Sequence, residues 1–131
     1  IPASRMKAKR QHRVPLSGAA LKVLQQARDR LVARPTSLVF SSLKGGLLSD
    51  MSLTAVMRRM NVDAVPHGFR STFRDWVGEF TQYPSDLAEM ALAHVLPNKT
   101  EAAYRRGDAL EKRRGMMDAW ANHCLSAEAH G

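Results

Sequence analysis

The chain has 131 residues and one cysteine, and its 20 Lys and Arg exceed its 12 Asp and Glu to give a formal charge of +8. That length suffices for one domain with a core of its own, while a lone cysteine rules out an internal disulfide and fits a reducing cytosol. No apolar run reaches the length of a membrane span and no signal peptide opens the chain, whereas so large a basic excess points to a polyanionic partner whose phosphates release counterions on binding.

A merely soluble basic protein would show the same total, so the location of the charge matters. Residues 1–15 carry Arg5, Lys7, Lys9, Arg10 and Arg13 with no acid, and residues 105–114 carry five cations (Arg105, Arg106, Lys112, Arg113, Arg114) against Asp108 and Glu111. Two concentrated stations fit phosphate tracking better than an evenly solvated surface does.

In chain order, residues 1–16 read as two short extended stretches joined by a basic turn, with Val14 and Leu16 alternating around Pro15. Proline places the second stretch at a sheet edge or ends it early. Ser17 can cap a helix beginning near Gly18, with Ala20, Leu24, Ala27 and Leu31 on one face and Pro35 closing it. Residues 37–41 (SLVFS) predict a short buried strand, and Lys44-Gly45-Gly46 marks a turn. Ser49 or Asp50 caps a helix bearing Leu53, Val56, Met57 and Met60. After Pro66 comes a stronger helix, in which Phe69, Phe73, Trp76, Val77 and Phe80 make a continuous apolar stripe. Ser85 caps a helix carrying Leu87, Met90 and Ala91, which Pro97-Asn98 breaks; Thr100 caps a short helix with Tyr104, ended by Gly107. Asp108 and Glu111 have capping-box spacing for a last helix with Leu110, Met117, Trp120 and Cys124 inward, and residues 125–131 read as frayed.

Four residues could carry chemistry. His67 and Arg70, three apart, would share a helical face opposite the aromatic stripe. Arginine grips two phosphate oxygens with one planar fork, and histidine holds or positions a proton near neutral pH. The spacing is common, so by itself it also fits two unrelated surface groups. His94, at the end of its helix and on the stripe of Leu87, Met90 and Ala91, taken singly reads more readily as a core histidine bonded to a carbonyl. Tyr104, flanked by Arg105 and Arg106, is either an ordinary half-buried ring or a phenol whose phenolate those cations stabilise. The five histidines (His12, His67, His94, His123, His130) and Cys124 show no paired ligand spacing, so no metal site is expected.

Taken in order, His67-x-x-Arg70, Leu92-Ala93-His94 and Tyr104-Arg105-Arg106 resemble the second half of the tyrosine recombinase active site. HRVPLS at 12–17, LSDMSLTAVMRRM at 48–60, HGFRSTFRDW at 67–76 and EMALAHVLPNKTEAAYRRGDALEKRRGMMDAWA at 89–121 are similar to prophage and genomic-island integrases. The likeness covers nearly the whole chain.

The resemblance implies a mainly α fold with a small β-hairpin, forming part of a DNA breaking-rejoining catalytic domain. Its parts would be a hairpin with a basic loop at 1–16, a helical core with the active-site residues at 17–107, a C-terminal helix at 108–125 and a tail at 126–131. It implies Tyr104 as nucleophile, Arg70 as the second phosphate-binding arginine, His67 as its companion in proton handling, and His94 bonding a non-bridging oxygen. Lys7, with Lys9 as runner-up, would be the general acid of the hairpin loop, and Arg5, Lys9, Arg10, Arg13, Arg105 and Arg106 would contact DNA. The family's first arginine precedes the hairpin and no residue here fills its place. Together with a first residue that is Ile1, this implies a chain cut short on its N-terminal side that cleaves poorly alone.

The implied partner is double-stranded DNA at attachment sites, bound by a homotetramer whose C-terminal helices dock on neighbours, in the bacterial cytoplasm at the nucleoid and without a membrane. A covalent protein–DNA link conserves the phosphodiester's energy, so no cofactor is implied. A non-catalytic DNA-binding module and a type IB topoisomerase-like enzyme are the alternatives: the first would form no covalent adduct, and the second would share the chemistry.

Overall fold

The computed structural model describes residues 1–31, 38–42, 44–96 and 109–127. Five α-helices lie among them: α1 Gly18–Leu31, α2 Ser52–Arg59, α3 Gly68–Phe80, α4 Ser85–Ala91 and α5 Leu110–Ala127. The chain divides into two compact units, Ile1–Ser17 with Arg70–Gly131, and Gly18–Phe69.

The larger unit is built on α3, α4 and α5. The i, i+3, i+4 spacing of Phe73, Trp76 and Val77 places them on one face of α3, where they are buried with Leu87 and Ala88 of α4 and Met116 of α5. Trp120 closes this core, edge-on to Phe73 at 5.5 Å between centroids and tilted against Trp76 at 5.1 Å. Such aromatic geometries add about 0.5–1.5 kcal/mol per pair to simple burial. The predicted stripe on α3 is therefore right at its centre, but its ends differ: Phe69 and Phe80 are exposed.

On α5 the inward register differs from the expected one. Arg113 and Met116 are its fully buried residues, Met117 and Trp120 are half-buried, and Cys124 is exposed. A helix buries positions 3 and 4 apart, and the row Arg113–Met116–Trp120 takes the place expected of Cys124. The buried guanidinium is satisfied in part by the chain's beginning: Arg113 Nη1 donates to the Arg13 carbonyl at 2.9 Å. α5 also runs to Ala127, past the expected end at residue 125.

The expected β-hairpin is not formed, and no β-strand occurs among the described residues. Residues 1 and 12 do exchange both backbone bonds, the Ile1 amino group to the His12 carbonyl at 2.7 Å and the His12 amide to the Ile1 carbonyl at 3.0 Å. This is the closed pair of an antiparallel ladder. It does not propagate, because Ala3–Arg5 is a 3₁₀ turn and Lys9 has φ +52°. An isolated two-stranded ribbon is marginal in water, and residues 3–10 offer no apolar face to hold one.

In the smaller unit, the α1 positions Ala20, Leu24 and Ala27 are half-buried, as is Ala19, and Met57 of α2 is buried. α2 starts at Ser52 with Met51 as its N-cap, later than the expected caps Ser49 or Asp50. The Ser49 hydroxyl instead meets that of Ser52 at 3.0 Å. The buried strand predicted at 37–41 is absent over residues 38–41, and Val39 and Phe40 are exposed; among the described residues there is no strand to share a ladder with it. The Gly45 turn is present, with φ +82° at Gly45 and the Ser42 amide donating to the Gly46 carbonyl at 2.8 Å. An L side chain at that φ would be strained, hence glycine.

Candidate active site

α4 ends at Ala91, well before the expected break at Pro97, and the way it ends builds the site. Ala93 has φ +56°. The Ala93 amide donates to the Met90 carbonyl at 3.1 Å, and the His94 amide donates back to the Glu89 carbonyl at 2.9 Å. These two bonds around a left-handed residue define a Schellman turn. In a continuing helix, residues five apart lie on different faces. The left-handed reversal instead returns His94 to the turn that carries Glu89.

His94 consequently leaves the apolar stripe of Leu87, Met90 and Ala91, and its side chain is 38% exposed. Its Nδ1 bonds Glu89 Oε2. Its Nε2 lies 2.7 Å from Arg70 Nη2, and the same Nη2 donates to the Leu92 carbonyl at 2.5 Å. Glu89 Oε1 in turn pairs with Arg74 Nε at 2.6 Å. Arg70 and Arg74 are four apart on α3, so both point toward the end of α4.

Hydrogen-bond logic assigns the protons. A guanidinium only donates, so His94 Nε2 accepts from Arg70; a carboxylate only accepts, so Nδ1 carries the ring's hydrogen and donates to Glu89. The tautomer that these two contacts favour carries its hydrogen at Nδ1. Both hydrogens of Arg70 Nη2 are engaged, and both of a guanidinium's forks use that nitrogen. A phosphate gripped by two nitrogens must therefore displace either the His94 ring or the Leu92 carbonyl.

Of the predicted site residues, the structure brings Arg70 and His94 together. His67 is exposed in the turn just before α3, in the smaller unit, and so does not sit within the helix. Lys7, Lys9 and Arg10 are exposed in the loop between the 3₁₀ turn and His12, Arg5 is exposed at the end of that turn, and Arg13 is held at its carbonyl by Arg113. Tyr104, Arg105 and Arg106 lie outside the described residues. Glu89 and Arg74 were not predicted. The one signal in the sequence was the i+4 spacing of Arg74 from Arg70; nothing local ties Glu89 to a residue beyond the helix end. Among the described residues no cluster of His, Cys, Asp and Glu is arranged to hold a metal ion, and no helix is long and apolar enough to cross a membrane.

No family model and no solved structure matches the chain. It is 35% identical over 131 residues to the prophage integrase IntA of Escherichia coli K12, which covers 98% of this chain and 32% of that protein. It is 33% identical over 125 residues to prophage integrase IntZ of the same strain, covering 93% and 30%. To the integrase of Enterobacteria phage P4 the identity is 31% over 125 residues, covering 90% and 28%. The chain belongs to the integrase family. It spans about a third of the length of the curated relatives it matches. In this integrase segment the aligned residues include the whole of α3 and α4, so the cluster around Arg70 and His94 falls inside the similarity.

Proposed function

We propose that this segment forms the C-terminal part of the catalytic domain of a tyrosine recombinase, acting on DNA attachment sites of a prophage or genomic island. The observation that carries the reading is the meeting of Arg70 and His94, 24 residues apart in sequence, with 2.7 Å between their nitrogens at an accessible surface.

Metal-independent phosphodiester cleavage needs a nucleophile, charge stabilisation at the non-bridging oxygens and a proton for the departing alkoxide. Tyr104 Oη attacks phosphorus, the bond to the 5′-oxygen breaks, and a 3′-phosphotyrosyl link remains. Arg70 and His94 hold the two non-bridging oxygens. Lys7 gives its proton to the leaving 5′-oxygen, and His67 assists in proton handling. Attack by a different 5′-hydroxyl on the phosphotyrosyl completes strand exchange with no net loss of phosphodiester energy.

The basic residues Arg5, Lys9, Arg10 and Arg13, with Arg105 and Arg106, follow the flanking backbone. No residue here takes the place of the family's first arginine, so the 131-residue chain alone cleaves slowly. In the full enzyme four protomers assemble on DNA in the bacterial cytoplasm, and α5, with Cys124 and Leu125 exposed near its end, docks on a neighbour.

The test is a nicked suicide DNA duplex incubated with the full-length enzyme, wild type against Tyr104→Phe. The wild type is expected to accumulate a covalent protein–DNA adduct and the variant none. An adduct that persists in Tyr104→Phe removes Tyr104 from its role.

A further inference from the structure

Glu89 has no part in the chemistry just described, yet its carboxylate is the hub of the cluster. We infer that Glu89 is the positioning residue of this site: it sets the orientation and the tautomer of His94 so that Nε2, rather than a ring carbon, faces the Arg70 guanidinium and the phosphate that Arg70 holds. This deepens the recombinase reading and rests on it.

Three observations carry the assignment. Glu89 is the more buried partner in both its contacts, its side chain being 24% exposed against 38% for His94 and 55% for Arg74. Its two oxygens are divided, Oε1 to Arg74 Nε and Oε2 to His94 Nδ1, so Arg74 pins the carboxylate while the carboxylate pins the ring. Its backbone carbonyl also accepts the His94 amide, so residue 89 fixes residue 94 at both main chain and side chain. A histidine ring can flip about its Cβ–Cγ bond, which puts a ring carbon where each nitrogen stood, and a neutral ring can carry its one hydrogen on either nitrogen. A full carboxylate on Nδ1 removes that freedom, because it accepts a hydrogen from the ring and offers none.

The consequence concerns the proton that a phosphate oxygen needs. With Nδ1–H committed to Glu89, any second proton goes to Nε2, the nitrogen beside Arg70. The ring then donates to the same phosphate that Arg70 grips. Were the tautomer reversed, the bare nitrogen would face Glu89, an arrangement of lone pair against lone pair.

The first measurement uses no DNA. Two-bond proton–nitrogen correlation spectra of the ¹⁵N-labelled 131-residue chain, at a pH where the ring is neutral, report which nitrogen of His94 carries hydrogen. The expected result is protonated-type nitrogen at Nδ1 and bare-type at Nε2 in the wild type, with that pattern lost in Glu89→Ala. In Glu89→Gln, whose single carbonyl oxygen cannot serve Arg74 and His94 together, the pattern is expected to weaken. An unchanged His94 pattern in both variants overturns the inference.

The second measurement is the cleavage rate of the full-length enzyme on the suicide duplex. Glu89→Ala is expected to slow adduct formation by roughly 10–100-fold, the usual cost of losing a residue that orients a functional histidine, with Glu89→Gln in between. In a His94→Phe background the same Glu89 substitutions are expected to add no further loss. An equal loss in both backgrounds would mean that Glu89 acts on folding or on Arg74, and the inference would fail. A recombinase reading refuted through Tyr104 leaves the nitrogen spectra to judge the Glu89 assignment separately.

Discussion

Ala93 is an alanine held at φ +56°, and changing it tests the turn that places His94. Left-handed backbone costs an L-residue about 1–2 kcal/mol. Glycine relieves that strain but returns about 0.4–1 kcal/mol through the greater freedom of the unfolded chain. The lost methyl is half-buried, and a fully buried one is worth about 0.8 kcal/mol. The balance for Ala93→Gly is a gain of about 0.5 kcal/mol, which for a domain of this size raises Tm by about 2 °C. Ala93→Val goes the other way, since a β-branched side chain tolerates this conformation worst, and a loss of at least about 1 kcal/mol is expected. Urea unfolding of the two variants and the wild type, with m unchanged, should rank Gly above Ala above Val. Hydrogen exchange at the His94 amide, which is bonded to the Glu89 carbonyl at 2.9 Å, should follow the same order of protection. A glycine variant less stable than the wild type at equal m would show that Ala93 does not hold the left-handed turn.

Other expectations follow from the same packing. Arg113→Met keeps most of the buried volume but loses the charged donor to the Arg13 carbonyl, so stability should fall by about 1.5–3 kcal/mol. Limited proteolysis should then cut within residues 1–17 before α3–α5 unfold, and an unaltered cleavage pattern would dismiss this anchor. Leu87→Ala, at 2% exposure in the main core, should cost about 2–5 kcal/mol in urea titration; a loss under about 1 kcal/mol would mean that α4 does not pack as described. Lys9→Ala and Arg10→Ala should each reduce the salt dependence of DNA binding by about one unit of slope, equally for all sequences. A slope that stays constant would take these side chains off the phosphate backbone.

The helices were legible because each carries its own signal. The stripe Phe73–Trp76–Val77 repeats at the helical period, and the prolines and serines near α3 and α4 mark their beginnings to within a residue or two. The two predicted extended regions were not formed, because a strand exists only if a partner accepts its backbone bonds, and no local pattern reveals whether that partner is present. Residues 1 and 12 pair once and stop at the 3₁₀ turn. On α5 the row Met117–Cys124 looked apolar, and the face that turned inward contains a buried arginine instead. Hydropathy misjudges a guanidinium that finds a carbonyl 100 residues away.

For the site, sequence alone determined which residue types were available and in what order: Arg70 on α3, then His94 after α4. Order along the chain needs no contact to be read. That Arg70 and His94 touch, and that Glu89 and Arg74 complete the cluster, was decided only by tertiary structure. The reason is the left-handed turn at Ala93, which folds residue 94 back over residue 89, together with the common core in which Phe73 and Val77 of α3 and Leu87 of α4 are buried. Helical periodicity describes positions within one helix; it carries no information about what a chain meets after it reverses.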